Sequence, residues 1–448
     1  MKLIEACTSL LLIATLVSFA AAQAGAQDPV FKMLSKDQKV RLATLNELRS
    51  SWKDSYAVKL LEASRFIRVP ETRTAIFDLL NEKTGQSFGQ DRNSWYRWVW
   101  SNPYQHESEY AAFKSKLYSR VDSRFAEYFS AGAAAEIRLD EIRWGGVKRD
   151  GIPPLDHPKV LPASRAEYLA DSDIVFGVEL GGQARAYPKR ILAWHEMVRD
   201  RVGGREINGV YCTLCGSMIV YDPIFQGDFY ELGTSGFLYR SNKLMYDKRT
   251  KSLWSTLEGK PVVGELVGKG IKLDSLYVVT TTWGAWKKMH PNTDVLSLNT
   301  GFRRDYGEGV AYAKYFSTDA LMFTVPKLDQ RLKNKAPVLV LRFGDDKLAI
   351  AKSFLRNNPV YQSESGGTNF VAITNSAGAT RVYDAGDIQF KELLDDGRIK
   401  ASSGEVYQVT EESLVSSAAS ATILRRLPTH EAFWFGWYSA HPDTKLIK

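Results

Sequence analysis

One stretch of the chain occurs twice: residues 283–293 read WGAWKKMHPNT, and residues 434–444 read WFGWYSAHPDT. Both stretches follow the pattern W-x-x-W-x-x-x-H-P-x-T. In each, we expect the histidine to end a helix, because its ring interacts well with the helix dipole and the next residue, proline, prevents continuation.

A second pair of motifs precedes these stretches in the same order. Two glycines lead at nearly equal spacing to Val-Tyr-Asp, at 203–204 and 220–222 in one region and at 366–367 and 382–384 in the other. One shared motif can arise by coincidence, but two in the same order indicate a tandem duplication. We predict that the copies are residues 149–335 and 336–448.

The region around the first copy has a mixed pattern of strands and short helices. Residues 174–180 read as a strand, Gly181-Gly182 as a hairpin turn and residues 183–187 as the partner strand. Pro188 can open a short helix that runs to about Trp194. The fold class predicted for the duplicated region is therefore α+β.

Residues 27–148 carry helical periodicity with almost no strand signal, and the composition changes at Gly145-Gly146. Short paired helices and a Thr-Gly-Gln, Phe-Gly, Trp arrangement resemble a HEAT-type helical repeat. We interpret Trp95, Trp98 and Trp100 as packing residues between helices. The sequence predicts an all-helical domain here, with a protein partner as its expected ligand.

Residues 1–26 combine Lys2, an apolar run and small residues, which is typical of a secretory signal peptide. An uncleaved anchor is the alternative, although the run is shorter than a membrane span requires. We expect a periplasmic or secreted protein that has no transmembrane segment once the signal is cleaved. Cys7 would leave with the signal.

The composition indicates a folded protein of several domains and argues against nucleic-acid binding. The chain has 448 residues, 44% of them hydrophobic, which predicts two or three folded domains. The net charge of +8 is spread along the chain with no long basic block. Together with the lack of zinc-finger spacing or a basic helix, this argues against a nucleic-acid partner.

Cys212 and Cys215 are the two cysteines left after the leader is removed. A thioredoxin-type pair lies at a helix N-terminus, whereas this pair is followed by a strand pattern at residues 218–221. A Cys-x-x-Cys-Gly turn between strands is typical of a metal knuckle, in which the glycine permits the tight geometry. We therefore predict that both cysteines bind zinc or copper.

Further ligands have to come from histidines elsewhere in the chain. The position of His195 falls near Asn357 in the second copy, and those of Cys212 and Cys215 near Thr374 and Ala377, so His195 disappears together with the thiols. His195 is therefore the preferred third ligand, with Glu196 to orient a ring or act as a base. His290 recurs as His441 in a copy without cysteines, so it is the reserve ligand.

Two alternatives to a metal site remain. The cysteines can form a disulfide, either inert or redox-active, in a thiol–disulfide redox protein. The chain can also be a non-catalytic binding or scaffold protein in which the thiols only stabilise a turn. The residues leave open whether the protein is an enzyme.

Seven stretches resemble the bacterial domain-of-unknown-function family DUF3179: ARAYP at 184–188, WHE at 194–196, YCTLCG at 211–216, SGFLYRSN at 235–242, MYD at 245–247, SLWS at 252–255 and residues 282–293. The resemblance covers about residues 150–448. This chain has Thr213 where the family usually has proline, and Arg240 where it often has asparagine.

The resemblance implies that a set of residues belongs to one signature surface, in a pocket with the cysteines: Tyr239, Asn242, Tyr246, Asp247 and Trp254. The alternative is that these residues pack the sheet and form turns.

Overall fold

The computed structural model describes residues 28–104, 108–130, 132–418 and 422–448. The leader predicted at residues 1–26 lies outside this part of the chain. The described residues form two compact units, one ending at Pro103 and the other beginning at Tyr104. No helix among them is long and apolar enough to span a bilayer.

The first unit is helical, as the sequence predicted. It contains a 3-10 helix at Pro29–Leu34 and four α-helices: α1 Gln38–Ser50, α2 Ser55–Ala63, α3 Pro70–Thr84 and α4 Arg92–Ser101. Asp37 and Asp91 accept hydrogen bonds from backbone N–H groups at the starts of α1 and α4. Trp95 and Trp100 are buried, in agreement with the predicted packing role. The helical character is confirmed; a HEAT-type repeat stays a prediction.

The second unit begins with helical segments and continues into sheets. Helix α5 spans Ser108–Tyr118, and 3-10 turns follow at Ser123–Phe129 and Leu139–Glu141. Phe125 and Phe129 contact the ring of Phe237, at centroid distances of 4.8 and 5.3 Å. Part of the segment predicted as a separate helical domain therefore packs in one unit with the strands.

The elements of the first half of this unit, in chain order, are β1 Ile142–Trp144, β2 Leu155–Asp156, β3 Val160–Pro162, a 3-10 turn Ala163–Arg165, β4 Ile174–Leu180, β5 Gln183–Pro188, α6 Lys189–His195, β6 Met197–Val202, β7 Arg205–Cys212, β8 Ser217–Tyr221, β9 Ile224–Phe225, β10 Asp228–Phe229, β11 Leu232–Tyr239, β12 Asn242–Asp247, β13 Leu253–Ser255, β14 Lys260–Val263, β15 Ser275–Leu276, β16 Val279–Thr282, α7 Trp283–Met289 and β17 Asp294–Leu296. The predicted hairpin of β4 and β5 and the helix after Pro188 are confirmed.

The inter-half segment, residues 297–336, contains one short helix, α8 Ala313–Phe316. The second half comprises β18 Pro337–Phe343, β19 Asp346–Ala351, α9 Lys352–Asn357, β20 Val360–Ser365, β21 Thr368–Thr374, β22 Thr380–Asp384, β23 Phe390–Leu393, β24 Ile399–Ala401, β25 Val406–Val409, β26 Ser413–Ser416, β27 Ile423–Arg425, β28 His430–Phe433, α10 Trp434–Ala440 and β29 Lys445–Ile447. The overall class is α+β, as predicted.

The two halves arrange their strands in the same way. One sheet has the order β16-β4-β5-β17-β3, and another has the order β28-β18-β19-β29. In each, the strand after the repeated stretch joins in parallel, β17 beside β5 and β29 beside β19. The antiparallel order β8-β7-β6 likewise has a counterpart in β22-β21-β20.

The repeated stretch builds the same local structure each time. The indole Nε1 of Trp286 donates to Thr293 Oγ1 at 2.8 Å, and that of Trp437 to Thr444 Oγ1 at 2.9 Å. His290 and His441 cap the ends of α7 and α10, as predicted. Since these indoles are buried, each threonine satisfies a donor that water cannot reach.

A buried ion-pair network of the second half contacts the first half. Glu411 pairs with Arg381 and Arg426, and all three side chains are almost fully buried. Arg426 also donates to the carbonyl oxygen of Val278 in the first half, at 3.0 Å. Burial alone would raise the pKa of Glu411, but the two guanidinium groups hold it well below its ordinary value.

Candidate functional site

The two cysteines lie at a turn between antiparallel strands, as the sequence predicted. Strand β7 ends at Cys212, which is paired in register with Ser217 at the start of β8. The backbone N–H of Cys215 donates to the carbonyl oxygen of Cys212 at 3.1 Å. Gly216 takes a φ of +63°, a left-handed conformation that glycine adopts without the steric cost of a side chain.

Cys212 and Cys215 are joined as a disulfide. They are 2% and 0% exposed, so neither sulfur is open to bulk solvent. The Sγ atom of Cys215 lies 3.3 Å from the carbonyl oxygen of Ser241, a position from which a reduced thiol could donate its proton to that oxygen. The pair packs with Leu238 and Tyr315 in a small apolar cluster.

The second half supplies one wall of this site. The backbone N–H of Phe433 donates to the carbonyl oxygen of Cys215 at 2.6 Å. A Cβ at Gly216 would lie 2.9 Å from the ring of Phe433, and a Cβ at Gly436 would lie 3.2 Å from the Cβ of Cys215. Glycine at both positions therefore permits the close approach of the two halves at the disulfide.

His195 is the last residue of α6 and is fully buried. Its Nδ1 lies 2.8 Å from the carbonyl oxygen of Pro153, and its Nε2 lies 2.6 Å from the hydroxyl of Tyr306. Both ring nitrogens are thus engaged by groups other than the cysteines. Burial lowers the pKa of His195, which favours the neutral ring.

His290, the reserve ligand, lies against carboxylates. Its Nδ1 is 3.7 Å from Glu179 and its Nε2 is 3.4 Å from Glu411. Its ring centroid is 4.0 Å from that of Trp286. Across the described ranges, no cluster of three or more histidine, cysteine, aspartate or glutamate side chains is arranged to hold a metal ion.

Glu196 belongs to a buried polar group beside the cysteine turn. Its carboxylate pairs with the ammonium of Lys243 at 3.0 Å and accepts a hydrogen bond from the hydroxyl of Tyr312 at 3.4 Å. Its backbone carbonyl accepts from the N–H of Tyr211, the residue before Cys212, at 2.9 Å. Burial lowers the pKa of Lys243, while Glu196 opposes that shift.

The inter-half segment covers this region, and sequence reasoning did not identify it. Tyr315 donates from its hydroxyl to the carbonyl oxygen of Leu214, between the cysteines, at 2.7 Å. Ser241 donates to the carbonyl oxygen of Phe323 at 3.0 Å. With the contacts from Tyr306 and Tyr312, this segment reaches the cysteine turn, the His195-Glu196 pair and the Arg240-Ser241 turn.

A signal for this cover was present in the sequence. Residues 312–316 read YAKYF, an aromatic cluster inside a stretch with few strand or helix signals. Long irregular segments inside a compact domain commonly carry function. What the sequence did not give is the distance in space between this cluster and Cys212.

Tyr239 and Asn242 flank the tight turn of the β11–β12 hairpin. The two turn residues, Arg240 and Ser241, have φ values of +49° and +63°. A two-residue hairpin loop of this type requires positive φ at both positions, and asparagine tolerates it better than arginine does. Here Arg240 takes this conformation and pairs with the buried Glu141.

Three signature residues form packing and turn contacts. The hydroxyl of Tyr246 donates to Asp150 at 2.6 Å. Asp247 accepts from the backbone N–H groups of Arg249 and Thr250, at 3.1 and 2.6 Å, and so closes the turn after β12. The indole of Trp254, which is fully buried, lies 3.3 Å from the carboxylate of Asp247. None of these hydrogen bonds involves Cys212 or Cys215.

The comparisons with known proteins agree with the signature stretches. The sequence model of one family, described as protein of unknown function (DUF3179), matches residues 149–444. Neither the curated proteins nor the solved structures give a match to this chain.

Proposed function

The chain belongs to the DUF3179 family, and from that premise we propose that it is a thiol–disulfide redox protein in which Cys212 and Cys215 cycle between disulfide and dithiol. The observation that carries the proposal is the pairing of these two buried cysteines across a short turn between strands.

This disulfide closes a short loop, so its entropic stabilisation is smaller than that of a disulfide between distant segments. The cysteines are separated by 3 positions in the sequence. In the chain-entropy account, closing so short a loop contributes about 2 kcal/mol, whereas a loop of roughly 15 residues contributes about 3 kcal/mol. A cross-link placed for stability would join more distant parts of the chain.

The second half supports the same conclusion. There the connection between β21 and β22 corresponds to the cysteine turn and contains no cysteine. The Asn375 side chain accepts from the N–H of Ala379 at 3.0 Å, and the hydroxyls of Thr374 and Thr380 lie 2.9 Å apart. Ordinary polar contacts close this turn, so cysteines in the first half favour a chemical role.

The backbone around the disulfide is consistent with a reactive site. Glu196, Arg240, Ser241 and Tyr312 all have φ between +49° and +63°, which is costly for residues other than glycine. Such conformations persist where the surrounding contacts enforce them, and they concentrate at functional sites. Glu196, Ser241 and Tyr312 contact the cysteine turn or the groups that cover it, and Arg240 is the chain neighbour of Ser241.

The proposed reaction is a two-electron exchange with a dithiol substrate. A substrate thiolate attacks one sulfur of the Cys212–Cys215 bond, which breaks as a mixed disulfide forms. The second substrate thiol then displaces the enzyme sulfur. The substrate leaves oxidised, with its own S–S bond, and the two cysteines keep its two electrons and two protons as thiols.

A redox titration tests this proposal. The full chain is equilibrated in graded mixtures of reduced and oxidised dithiothreitol or glutathione, and free thiols are counted by alkylation and mass measurement. We expect reversible reduction, retained circular dichroism, and a reduction potential above about −300 mV, the range of catalytic disulfides. A lower potential, or unfolding on reduction, would contradict the proposal. The Cys212→Ser/Cys215→Ser variant is the control.

Binding of zinc or copper remains the second candidate. The hydrogen bond from Cys215 N–H and the left-handed Gly216 give the turn the form of a knuckle that directs both sulfurs to one side. Soft thiolates suit copper(I) as well as zinc. His195 would complete the site only by giving up its contact with Pro153 or Tyr306, and His290 only by leaving its carboxylates.

Elemental analysis of reduced protein, purified without chelator, separates the two candidates. One equivalent of metal that is lost in Cys215→Ser and reduced in His195→Asn supports the metal site. Metal-free protein with a reversible disulfide supports redox chemistry. If Cys212→Ala costs only stability and leaves partner binding intact, the scaffold alternative is favoured.

We also propose that residues 149–335 and 336–448 arose by duplication, on the basis of the shared strand order and the two equivalent tryptophan–threonine hydrogen bonds. We propose further that the helical unit binds a protein partner. We also propose that the protein is exported to the periplasm or outside the cell. Protease protection in intact and permeabilised cells would test the location.

A further inference from the structure

A cavity of about 490 Å³ lies between the two halves of the second unit. Its walls come from the β11–β12 hairpin and the segment around Leu257 in the first half, and from the β18–β19 hairpin and the end of α10 in the second. Neither cysteine lines it. The volume is in the range of small-molecule sites, which occur preferentially where two structural units meet.

The inner wall carries a polar atom that has no partner. Asn242 is only 6% exposed, and its Nδ2 donates to the carbonyl oxygens of Arg240 and Gly436, at 3.2 and 2.9 Å. No described donor lies within hydrogen-bond distance of its Oδ1. Because Oδ1 is enclosed by protein atoms, a ligand in the cavity does not reach it; the Nδ2 hydrogen bond to Gly436 instead holds this wall of the cavity against the second half.

The middle of the cavity is apolar. Leu257 and Val262 are buried, and Ile137 and the ring of Tyr239 lie in the same wall. These groups form no hydrogen bonds with a ligand; they favour an aromatic or aliphatic group of matching size.

The outer wall is rich in cations. Six lining side chains are cationic (Arg240, Lys243, Lys260, Lys272, Arg342 and Lys347), against the three carboxylates Glu136, Glu258 and Asp345. Arg240, Lys243 and Arg342 have carboxylate partners in or behind the wall.

The lysines at the mouth are less firmly paired. Lys260 pairs with the exposed Glu136, and Lys347 with the exposed Asp443. Exposed pairs of this kind contribute little and can be exchanged for a ligand anion. Lys272 is exposed, and no described carboxylate lies within ion-pair distance of it. The mouth therefore favours an anionic group.

We infer that this cavity binds a small organic acid that carries an apolar group. The apolar group lies against Leu257 and Val262, and the carboxylate lies at the lysines of the mouth. The inference does not depend on the redox proposal, because the cysteines take no part in the cavity.

Three probes that differ by one group test each part of the inference by calorimetry on the full, oxidised chain. 3-Phenyllactate has the anion and the apolar group; lactate lacks the apolar group; 3-phenylpropane-1,2-diol lacks the charge. We expect 3-phenyllactate to bind about fivefold to tenfold more tightly than either analogue. Equal affinity for all three, or no binding of 3-phenyllactate at millimolar concentration, would overturn the inference.

Two variants locate the bound probe. Lys272→Glu should weaken 3-phenyllactate binding about fivefold, whereas Lys269→Glu, an equal charge change at an exposed lysine outside the cavity wall, should change it by about twofold at most. Ala440→Leu, at the end of α10, should fill the cavity and abolish binding with the circular dichroism unchanged. Binding unaffected by Ala440→Leu would place the probe elsewhere and refute the site.

Discussion

At the scale of single residues, the disulfide site depends on small side chains and left-handed backbone. Gly216 combines both requirements: its φ is positive, and the ring of Phe433 occupies the space that a Cβ would need. Gly204, in the turn between β6 and β7, has a φ of +81° but no atom within 4 Å of the Cβ position. A substitution at Gly204 therefore tests backbone strain alone, whereas a substitution at Gly216 tests backbone strain together with crowding by Phe433.

We predict that Gly204→Ala lowers the free energy of unfolding by about 1 kcal/mol, from left-handed backbone alone. Gly216→Ala should lower it by about 2 kcal/mol, because the ring of Phe433 must also shift. Urea unfolding of the oxidised proteins gives both values. Equal effects at the two positions would show that Phe433 does not press on the cysteine turn.

At the scale of elements, the inter-half segment and the repeated stretches contribute differently. The inter-half segment covers the cysteine turn with tyrosines, and this cover limits access to the sulfur atoms. The repeated stretches fix a helix, a histidine cap and a parallel strand through one tryptophan–threonine bond each.

Tyr315→Phe removes the hydroxyl that donates to Leu214 between the cysteines. We expect dithiothreitol to reduce the disulfide about fivefold faster. The lost hydrogen bond contributes roughly 1 kcal/mol, so without it the inter-half segment moves away from the cysteine turn more easily. Tyr361→Phe is the control, since no described partner of its hydroxyl lies within hydrogen-bond distance. An unchanged reduction rate in Tyr315→Phe would mean that this contact does not control access.

Thr293→Val and Thr444→Val each leave a buried indole N–H without an acceptor. Each should lower the free energy of unfolding by about 1 to 2 kcal/mol, and by similar amounts, if the two stretches have equivalent roles. Serine variants, which keep the hydroxyl, should recover most of the loss in urea unfolding. A large effect at one threonine and none at the other would argue against equivalent roles.

At the scale of the whole second unit, a buried charge network of the second half is hydrogen-bonded to the first half. Glu411 neutralises Arg381 and Arg426, and Arg426 reaches back to Val278 of the first half. Removing one member of a buried network leaves a charge without compensation, which usually costs more than the intact network contributes.

Glu411→Gln should lower the free energy of unfolding by about 3 to 5 kcal/mol. The matched control is Glu412→Gln, an exposed neighbour, for which we expect almost no change. Because the pKa of Glu411 is lowered by folding, its stabilising contribution is complete above its ordinary value of 4.5 and is lost as pH falls below it. Unfolding measured between neutral and acidic pH should therefore show a shallower slope in Glu411→Gln; identical slopes would refute this role.

The local elements were largely predictable because their signals lie close together in the chain. The β4–β5 hairpin, the helix after Pro188 and the histidine ends of α7 and α10 follow from glycines, prolines and hydrophobic periodicity. The same holds for the cysteine turn, since the run after Cys215 has the alternation of a strand. The leader at residues 1–26 and a HEAT-type repeat stay predictions.

The neighbours of the cysteines were not predictable in this way. His195 was expected beside the sulfurs, but its ring is held by Pro153 and Tyr306. Tyr315 and Phe433, which do contact the cysteine turn, come from segments about 100 and 220 positions further along the chain.

The sequence by itself determined the family, the α+β class and the strand-to-strand position of Cys212 and Cys215, because periodicity, turn chemistry and motif spacing act over a few residues. Only the tertiary structure decided which groups surround the sulfur atoms, where His195 finds its partners, and that a cavity opens between the halves. Those outcomes depend on how sheets and the inter-half segment pack together, and packing is set by the joint fit of residues that are far apart in the chain.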